Sequence, residues 1–446
     1  MKKLTLFLLL AVFTFAVSAE ETNAPAWLSR PLSQADCINI ALAQNADILK
    51  AKSDLEASAG VVVQTRAVAL PTLQAGGKYT DEELSLVQKF PGTNGTPHQS
   101  WNAGIQVVQG IYEGGKLIAA IQAASATKKQ SIAQYQTQVA DTLLAVRLAY
   151  YDVLLAAQQI TVNEASVKLL QKELDDQQRR FDAGTVPHFN VLRAEVALAN
   201  AKPNLFHATN QYRVSKNVLA NLLGYNLPRE VLENIPLNLT DTFDITSWNM
   251  ILPDAIQQAL ERRTELTDLR EQVVLQNLNI VSAKSGYKPV IQAFAGYNWQ
   301  NNEFNTDLSD QLNGWNVGGQ MTWAIFDGGL TIGKVQQAKA LYKKSQTELE
   351  DRSRQIELDV RTSYSDFLEA QEVLDSQTKV QEQAEEALRE ANARFDAGTG
   401  TQLDVLDAET SLTQARTTQV QALHDYAAAR ARLERSIGAE LASAKP

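Results

Sequence analysis

The chain has one cysteine, Cys37, in 446 residues. A single thiol excludes an intrachain disulfide, so the fold must rest on packing. Cys37 lies well past the apolar leader and is not placed as a lipidated first residue. A buried small hydrophobe on a helix is its expected role. Methionine is scarce, three including Met1, which removes support for a thioether-lined metal route. The four histidines, His98, His188, His207 and His424, have no metal-ligand spacing, so neither a metal nor another cofactor is expected. Positive charge is also short. The formal net charge of -10 argues against a general nucleic-acid binder. Gly114-Gly115-Lys116 is followed by Leu117 and lacks the upstream glycine of a phosphate-binding loop. With no acid–base or nucleophile constellation either, an enzyme is not expected. A long apolar run is missing too. Leu4 to Val17, behind Lys2 and Lys3, falls short of the roughly 20 residues of a membrane-spanning helix. It ends at Val17-Ser18-Ala19, so residues 1–19 read as a signal peptide that directs the mature chain out of the cytoplasm. An uncleaved anchor is the alternative.

What the chain does have is a duplication. Trp101-Asn102-Ala103-Gly104 recurs as Trp315-Asn316-Val317-Gly318, and Ile111-Tyr112-Glu113-Gly114-Gly115 as Ile325-Phe326-Asp327-Gly328-Gly329. Arg180-Phe181-Asp182-Ala183-Gly184-Thr185 recurs as Arg394-Phe395-Asp396-Ala397-Gly398-Thr399. Each pair is 214 residues apart. Upstream, Ala41-Leu42 and Pro71 match Ala259-Leu260 and Pro289 at an offset of 218, so the first copy holds four extra residues, placed in a loop tip at 90–95.

Each copy changes period along its length. After an N-terminal extension (20–31), the first copy spans 32–224: a helix over 32–70, a β-hairpin over 71–112, a long helix over 115–181 and a returning helix over 187–223. An irregular connector (225–249) leads to the second copy, 250–438: helix 250–288, hairpin 290–326, long helix 329–395 and helix 401–437, with a tail at 439–446. Pro71 and Pro289 end the first helices. The hairpin segments alternate. Trp315, Val317, Gly319, Met321, Trp323 and Ile325 share one face, and Asn316, Gly318, Gln320, Thr322 and Ala324 share the other. Strands of about ten residues with one apolar face have the size and pattern of transmembrane β-strands. A half-buried soluble sheet would look the same locally. The aromatic residues Tyr79, Trp101, Tyr297, Trp299, Trp315 and Trp323 favour lipid, because such residues form interfacial girdles.

In the first long helix Val139, Val146, Val153, Ile160, Val167, Leu174 and Phe181 fall on a seven-residue repeat. Val360, Phe367, Leu374, Gln381, Leu388 and Phe395 keep it in the second. Such a repeat predicts coiled-coil-like packing. The fold class is therefore mainly α with transmembrane β, built from a duplicated helix–β-hairpin–helix–helix unit. Four strands in lipid would leave open edges, and closed barrels need at least about eight. Several copies must then share one barrel.

In this layout the chain resembles the TolC family of outer-membrane efflux proteins. The resemblance rests on the duplicated arrangement, the Tyr112-Glu113-Gly114-Gly115 and Phe326-Asp327-Gly328-Gly329 turns, the two Arg-Phe-Asp-Ala-Gly-Thr turns and Leu403-Asp404-Val405-Leu406-Asp407-Ala408. It implies a homotrimer with a shared 12-stranded barrel in outer-membrane lipid and an α-helical barrel in the periplasm. It also implies a periplasmic adaptor and an inner-membrane pump or ABC exporter as partners. The adaptor-contacting tips it implies are Ala183, Gly184, Thr185 and Val186, with Ala397, Gly398 and Thr399 in the second copy. Glycine there permits a left-handed helix end, and Thr185 or Thr399 is expected to cap the next helix; a purely structural turn is the alternative. The resemblance places Asp404 and Asp407 at a periplasmic constriction, six carboxylates in three copies, although acidic residues also suit a helix N-terminus. The family's Asp–Arg link and tyrosine correspond here to Asn190, Gly400 and Phe395, so that link cannot form and a differently latched entrance is expected. Pro203 is expected to kink the returning helix. A non-conducting periplasmic or surface coiled-coil scaffold remains the competing reading.

Overall fold

The computed structural model describes residues 26–83, 85, 98–226, 235–243, 245, 250–301 and 307–439. The signal peptide, the loop tip at 90–95, much of the connector and all but the first residue of the tail lie outside them.

The first helical region of each copy is two helices, not one. In copy one they are α1 (Gln34–Gln44) and α2 (Ala46–Ala67). α1 starts at Ser33, whose hydroxyl accepts from the Asp36 N–H while the Asp36 carboxylate accepts from the Ser33 N–H at 3.1 Å, the reciprocal capping box. The break is at Asn45. Its backbone is extended, its Oδ1 accepts from the Asp47 N–H at 2.8 Å, and its amide donates to the Leu222 carbonyl at 2.7 Å. In copy two α5 (Leu252–Arg262) and α6 (Thr264–Lys284) break at Arg263, which donates to the Ser436 carbonyl at 3.4 Å. Arg263 and Ser436 are the repeat counterparts of Asn45 and Leu222. Neither break carries a glycine or proline, so the helix interruption is set by a long-range bond and escapes local pattern. Leu32 does not start the first helix either. Pro31–Leu32 (β1) pairs in parallel with Asn238–Leu239 (β4), which gives the connector an ordered strand.

The hairpins are β2 (Thr72–Asp81) with β3 (Gln99–Glu113), and β5 (Val290–Asn301) with β6 (Gln311–Thr322). They join in one antiparallel sheet of order β2-β3-β5-β6, with an irregularity between Gly110 and Tyr112. β6 ends at Thr322, so Trp323 and Ile325, expected within the alternating strand, lie beyond it.

Two long helices follow, α3 (Lys116–Asp182) and α7 (Leu330–Asp396), each 67 residues, or about 100 Å at 1.5 Å per residue. They return as α4 (His188–Leu222) and α8 (Gln402–Ser436). α4 continues unbroken through Pro203. Among the described residues positive φ is confined to eight glycines, and they form four repeat pairs: Gly114/Gly328, Gly115/Gly329, Gly184/Gly398 and Gly224/Gly438. The entry from each hairpin into its long helix, each helical tip and the end of each returning helix thus use the same left-handed residue in both copies. The largest clusters sit midway along the long helices. Val146, Tyr150 and Val153 pack with Leu32, Cys37, Leu219, Leu237 and Phe243. Val360 and Phe367 pack with Leu266, Tyr426, Leu433 and Ile437. The heptad of α3 is fully buried only at Val139, Val146 and Val153; Phe181 at its lower end is exposed.

Candidate functional site: sheet face and helical tips

The register collects the alternating residues onto one face. Leu73 lies opposite Val107, Ile105 opposite Tyr297, and Tyr297 opposite Trp315. This face is open: Trp315 is 77 % exposed, Leu73 70 % and Met321 66 %. A continuous bare apolar face of this kind calls for a non-aqueous neighbour. The reverse face carries Gln74, Gln106, Gln292, Asn298 and Asn316, with the Asn298 amide donating to Asn316 Oδ1 at 3.1 Å. Tyr79, Trp101, Tyr297, Trp299 and Trp315 all lie nearer the loop end of the sheet, and Trp323 lies at the helix end. Three of them bond locally through their polar atoms. Trp101 Nε1 donates to the Leu308 carbonyl (3.0 Å), Trp323 Nε1 to the Tyr287 carbonyl (3.2 Å) and Tyr297 OH to Asn313 Oδ1 (2.7 Å). No described helix is long and apolar enough to cross a membrane.

At the far end the helices turn through Ala183-Gly184-Thr185-Val186 and Ala397-Gly398-Thr399-Gly400. The Gly184 N–H donates to the Phe181 carbonyl at 2.8 Å, and Gly398 repeats this on Phe395 at 3.0 Å. Thr185 and Thr399 do not cap the following helices as expected. Their hydroxyls donate backward, to the Arg180 carbonyl at 2.8 Å and the Arg394 carbonyl at 3.2 Å. They close the helix that ends instead of opening the one that begins. α4 starts at Pro187 without a side-chain cap, whereas α8 starts at Thr401 with a capping box to Asp404.

That box fixes Asp404. Its Oδ2 accepts from the Thr401 N–H and hydroxyl, both at 2.8 Å. The backbone bond, then the hydroxyl, hold its carboxyl below the usual range. Asp407, one turn on, is exposed. Thr401→Ala is expected to remove the two bonds of the hydroxyl, to the Asp404 carboxylate and from the Asp404 N–H, and lower stability by about 1 kcal/mol, read as a lower thermal midpoint; an unchanged midpoint would show the hydroxyl to be idle.

Arg180 bridges the two tips. Its guanidinium lies 4.7 Å over the Phe395 ring and reaches Asp396 Oδ1 at 3.2 Å. Gly400 is a close approach: a Cβ there would meet Arg394 Cβ and the Phe395 nitrogen at 3.1 Å. Asn190 is reached through its carbonyl, which accepts from Gln402 Nε2 at 3.1 Å. Val186 is half-buried, while Ala183 and Ala397 are exposed.

Sequence reasoning missed the seam between the copies, where α3 lies against α8. It is polar at many levels. Arg435 meets Asp141 (2.6 Å) and Glu265 (2.9 Å), and His424 lies 2.9 Å from both Asp152 and Asp425. Burial opposes charging of His424, but the two carboxylates outweigh it and raise its pKa. Thr413 donates to Ser166 at 3.2 Å. Lower down, Gln177 and Gln402 both donate to Glu173 Oε1, at 2.8 and 3.4 Å. Nearby, Glu409 is 4 % exposed and its Oε2 has no hydrogen-bond partner among the described residues. Pairing across 229 residues leaves no local signal.

Two stretches, 37–225 and 255–439, match the family described as outer membrane efflux protein. They coincide with the two copies and cover most of the chain. The chain belongs to the outer membrane efflux protein family. Members of this family are channels and not enzymes, and the protein is accordingly placed in the outer membrane with its helices in the periplasm. It is 24 % identical over 392 residues to Outer membrane protein TolC of Escherichia coli (strain K12), covering 86 % of this chain and 77 % of that one. It is 24 % identical over 440 residues to the cobalt-zinc-cadmium resistance protein CzcC of Cupriavidus metallidurans, covering 95 % and 96 %. Among solved structures, the CmeC outer membrane channel of Campylobacter jejuni matches with a TM-score of 0.79 at 16 % identity, covering 91 % of this chain and 85 % of that one.

Proposed function

We propose that this efflux-family protein is a passive trimeric duct, serving a tripartite efflux pump or a type I secretion system. The sheet carries this reading. It has a bare apolar face, a polar reverse face and, among the described residues, two edges paired on one side only. Open edges cannot stand in lipid. Three copies of four strands close a 12-stranded barrel with the polar face inward. The helices repeat the argument. α4 packs on α3 and α7 on α8, which leaves Phe189, Val196 and Phe206 of α4 and Leu358, Val373 and Val380 of α7 exposed. Neighbouring subunits would cover these stripes and make the six hairpins one tube.

The tips Ala183–Val186 and Ala397–Thr399 are the proposed docking points for a periplasmic adaptor, which links the duct to an inner-membrane pump or ABC exporter that supplies the energy. The constriction is formed by Asp404, Asp407, Phe395, Asn190 and Gly400. In place of an Asp–Arg latch, Gln402 on Asn190 and Arg180 on Asp396 hold the tips. The two acidic positions are unequal: Asp404 is tied up in its cap, and Asp407 is free to face the axis. Protein purified from the outer membrane should therefore conduct in planar bilayers with a preference for cations, and Asp407→Asn should reduce that preference several-fold with the fold intact. Absence of any conductance would favour a non-conducting scaffold.

A further inference from the structure

The Glu173–Glu409 pair is not used by the duct reading, yet it lies where the two copies touch just above the tips. Glu173 on α3 is half-buried, and its Oε1 accepts from the amides of Gln177 and Gln402. Glu409 on α8 is buried, with an unpartnered Oε2. The amide oxygens of Gln177 and Gln402 are likewise buried without a partner. Two carboxylates thus share the seam, and among the described residues neither is joined to a basic side chain. Across the α7–α8 contact, Glu385 of α7 and Arg416 of α8 are closed on each other at 2.9 Å, with Arg389 of α7 beside Glu385. On α8 itself Asp407 is exposed.

We propose that Glu409 is a proton-operated catch on the α3–α8 seam: protonated, it lets the two hairpins lie together, and ionised, it drives them apart against Glu173. Burial first, and the Glu173 charge second, push its pKa up to about 7. The sign follows from linkage. A carboxyl whose pKa is higher in the closed seam than in the open one stabilises closure at low pH, and this stabilisation is lost as pH rises through about 7. His424, higher on the same seam, has its pKa raised by Asp152 and Asp425 against the opposing effect of burial, and works in the same direction. Acid therefore fastens the seam and mild alkali loosens it. The inference rests on the duct reading only in making the tip the end that moves.

The test measures opening directly. Val405, one turn before Glu409, is 1 % exposed and packs in the cluster that Leu169 of α3 joins. The full-length protein in detergent carries Val405→Cys, with Cys37 replaced by alanine, and alkylation by a maleimide is timed with and without Glu409→Gln. Taking the ratio of the two chains at each pH cancels the ordinary ionisation of the thiol. An ionised Glu409 beside the thiol would slow alkylation, so this bias opposes the expected result. The ratio is expected to rise about tenfold from pH 6 to pH 8. A ratio that stays flat overturns the proposal. So does a rise that calcium abolishes at constant pH, since a cation would then be closing the pair. A chain that alkylates as expected but does not conduct would contradict the duct and leave the catch standing.

Discussion

Gly224→Ala is expected to destabilise the protein by at least about 3 kcal/mol, whereas Gly184→Ala should cost only about 1–2 kcal/mol. Both glycines are left-handed helix ends, at φ +80° and +73°, so both substitutions carry the same conformational strain. Their surroundings differ. A Cβ on Gly224 would lie 2.5 Å from the Gln44 carbonyl oxygen and 3.0 Å from its carbon, and that backbone is fixed by the Asn45 break. A Cβ on Gly184 meets nothing within 4 Å. The repeat supplies the controls. Gly438→Ala, with its nearest neighbour Arg262 Cβ at 3.2 Å, should fall between the two, and Gly398→Ala should match Gly184→Ala. Thermal midpoints of the four variants in detergent test the order. Equal losses at Gly224 and Gly184 would mean that left-handed strain alone governs these turns.

The second large effect is expected at Glu265. Its carboxylate receives Arg263 at 2.6 Å and Arg435 at 2.9 Å, while Arg435 also holds Asp141 of the other copy. Arg263 and Arg435 are almost fully buried. Burial alone would raise the Glu265 pKa; the bond from Arg263 and the charges of Arg435 and Arg263 overcome it and hold the carboxyl at about 2. Glu265→Gln keeps the shape and removes the charge, leaving buried Arg435 with Asp141 alone and buried Arg263 with only the more distant Asp359 at 3.9 Å, and should cost about 3 kcal/mol. A depressed carboxyl pKa stabilises the fold above its unfolded value, and the gain is lost as pH falls towards about 2. The wild-type midpoint should therefore drop between pH 5 and pH 3 more steeply than that of Glu265→Gln. Parallel pH profiles would show that the network contributes packing and not charge.

Much of this fold can be read from local pattern, because the pattern is periodic and written twice. The seven-residue spacing marks α3 and α7, alternation marks the face shared by Leu73, Ile105, Tyr297 and Trp315, and paired glycines mark the turns. What escapes is set at long range. Asn45 and Arg263 interrupt helices by bonding carbonyls near the ends of α4 and α8, and nothing beside them in sequence announces it. Thr185 looks like a cap for the next helix, yet the tight turn aims its hydroxyl back at Arg180. At the tips, Asp404 and Asp407 are recognisable as acidic residues one turn apart, but only the folded turn separates the capping carboxylate from the free one. Glu173 and Glu409 are ordinary helix-surface acids until α3 and α8 are placed together.

The central claim is that one copy cannot close the membrane structure its sheet begins. Native mass spectrometry of the protein extracted from the outer membrane in detergent tests this most directly. The account predicts an assembly of three chains that persists until heated. A monomer or dimer that stays dispersed without detergent would contradict it.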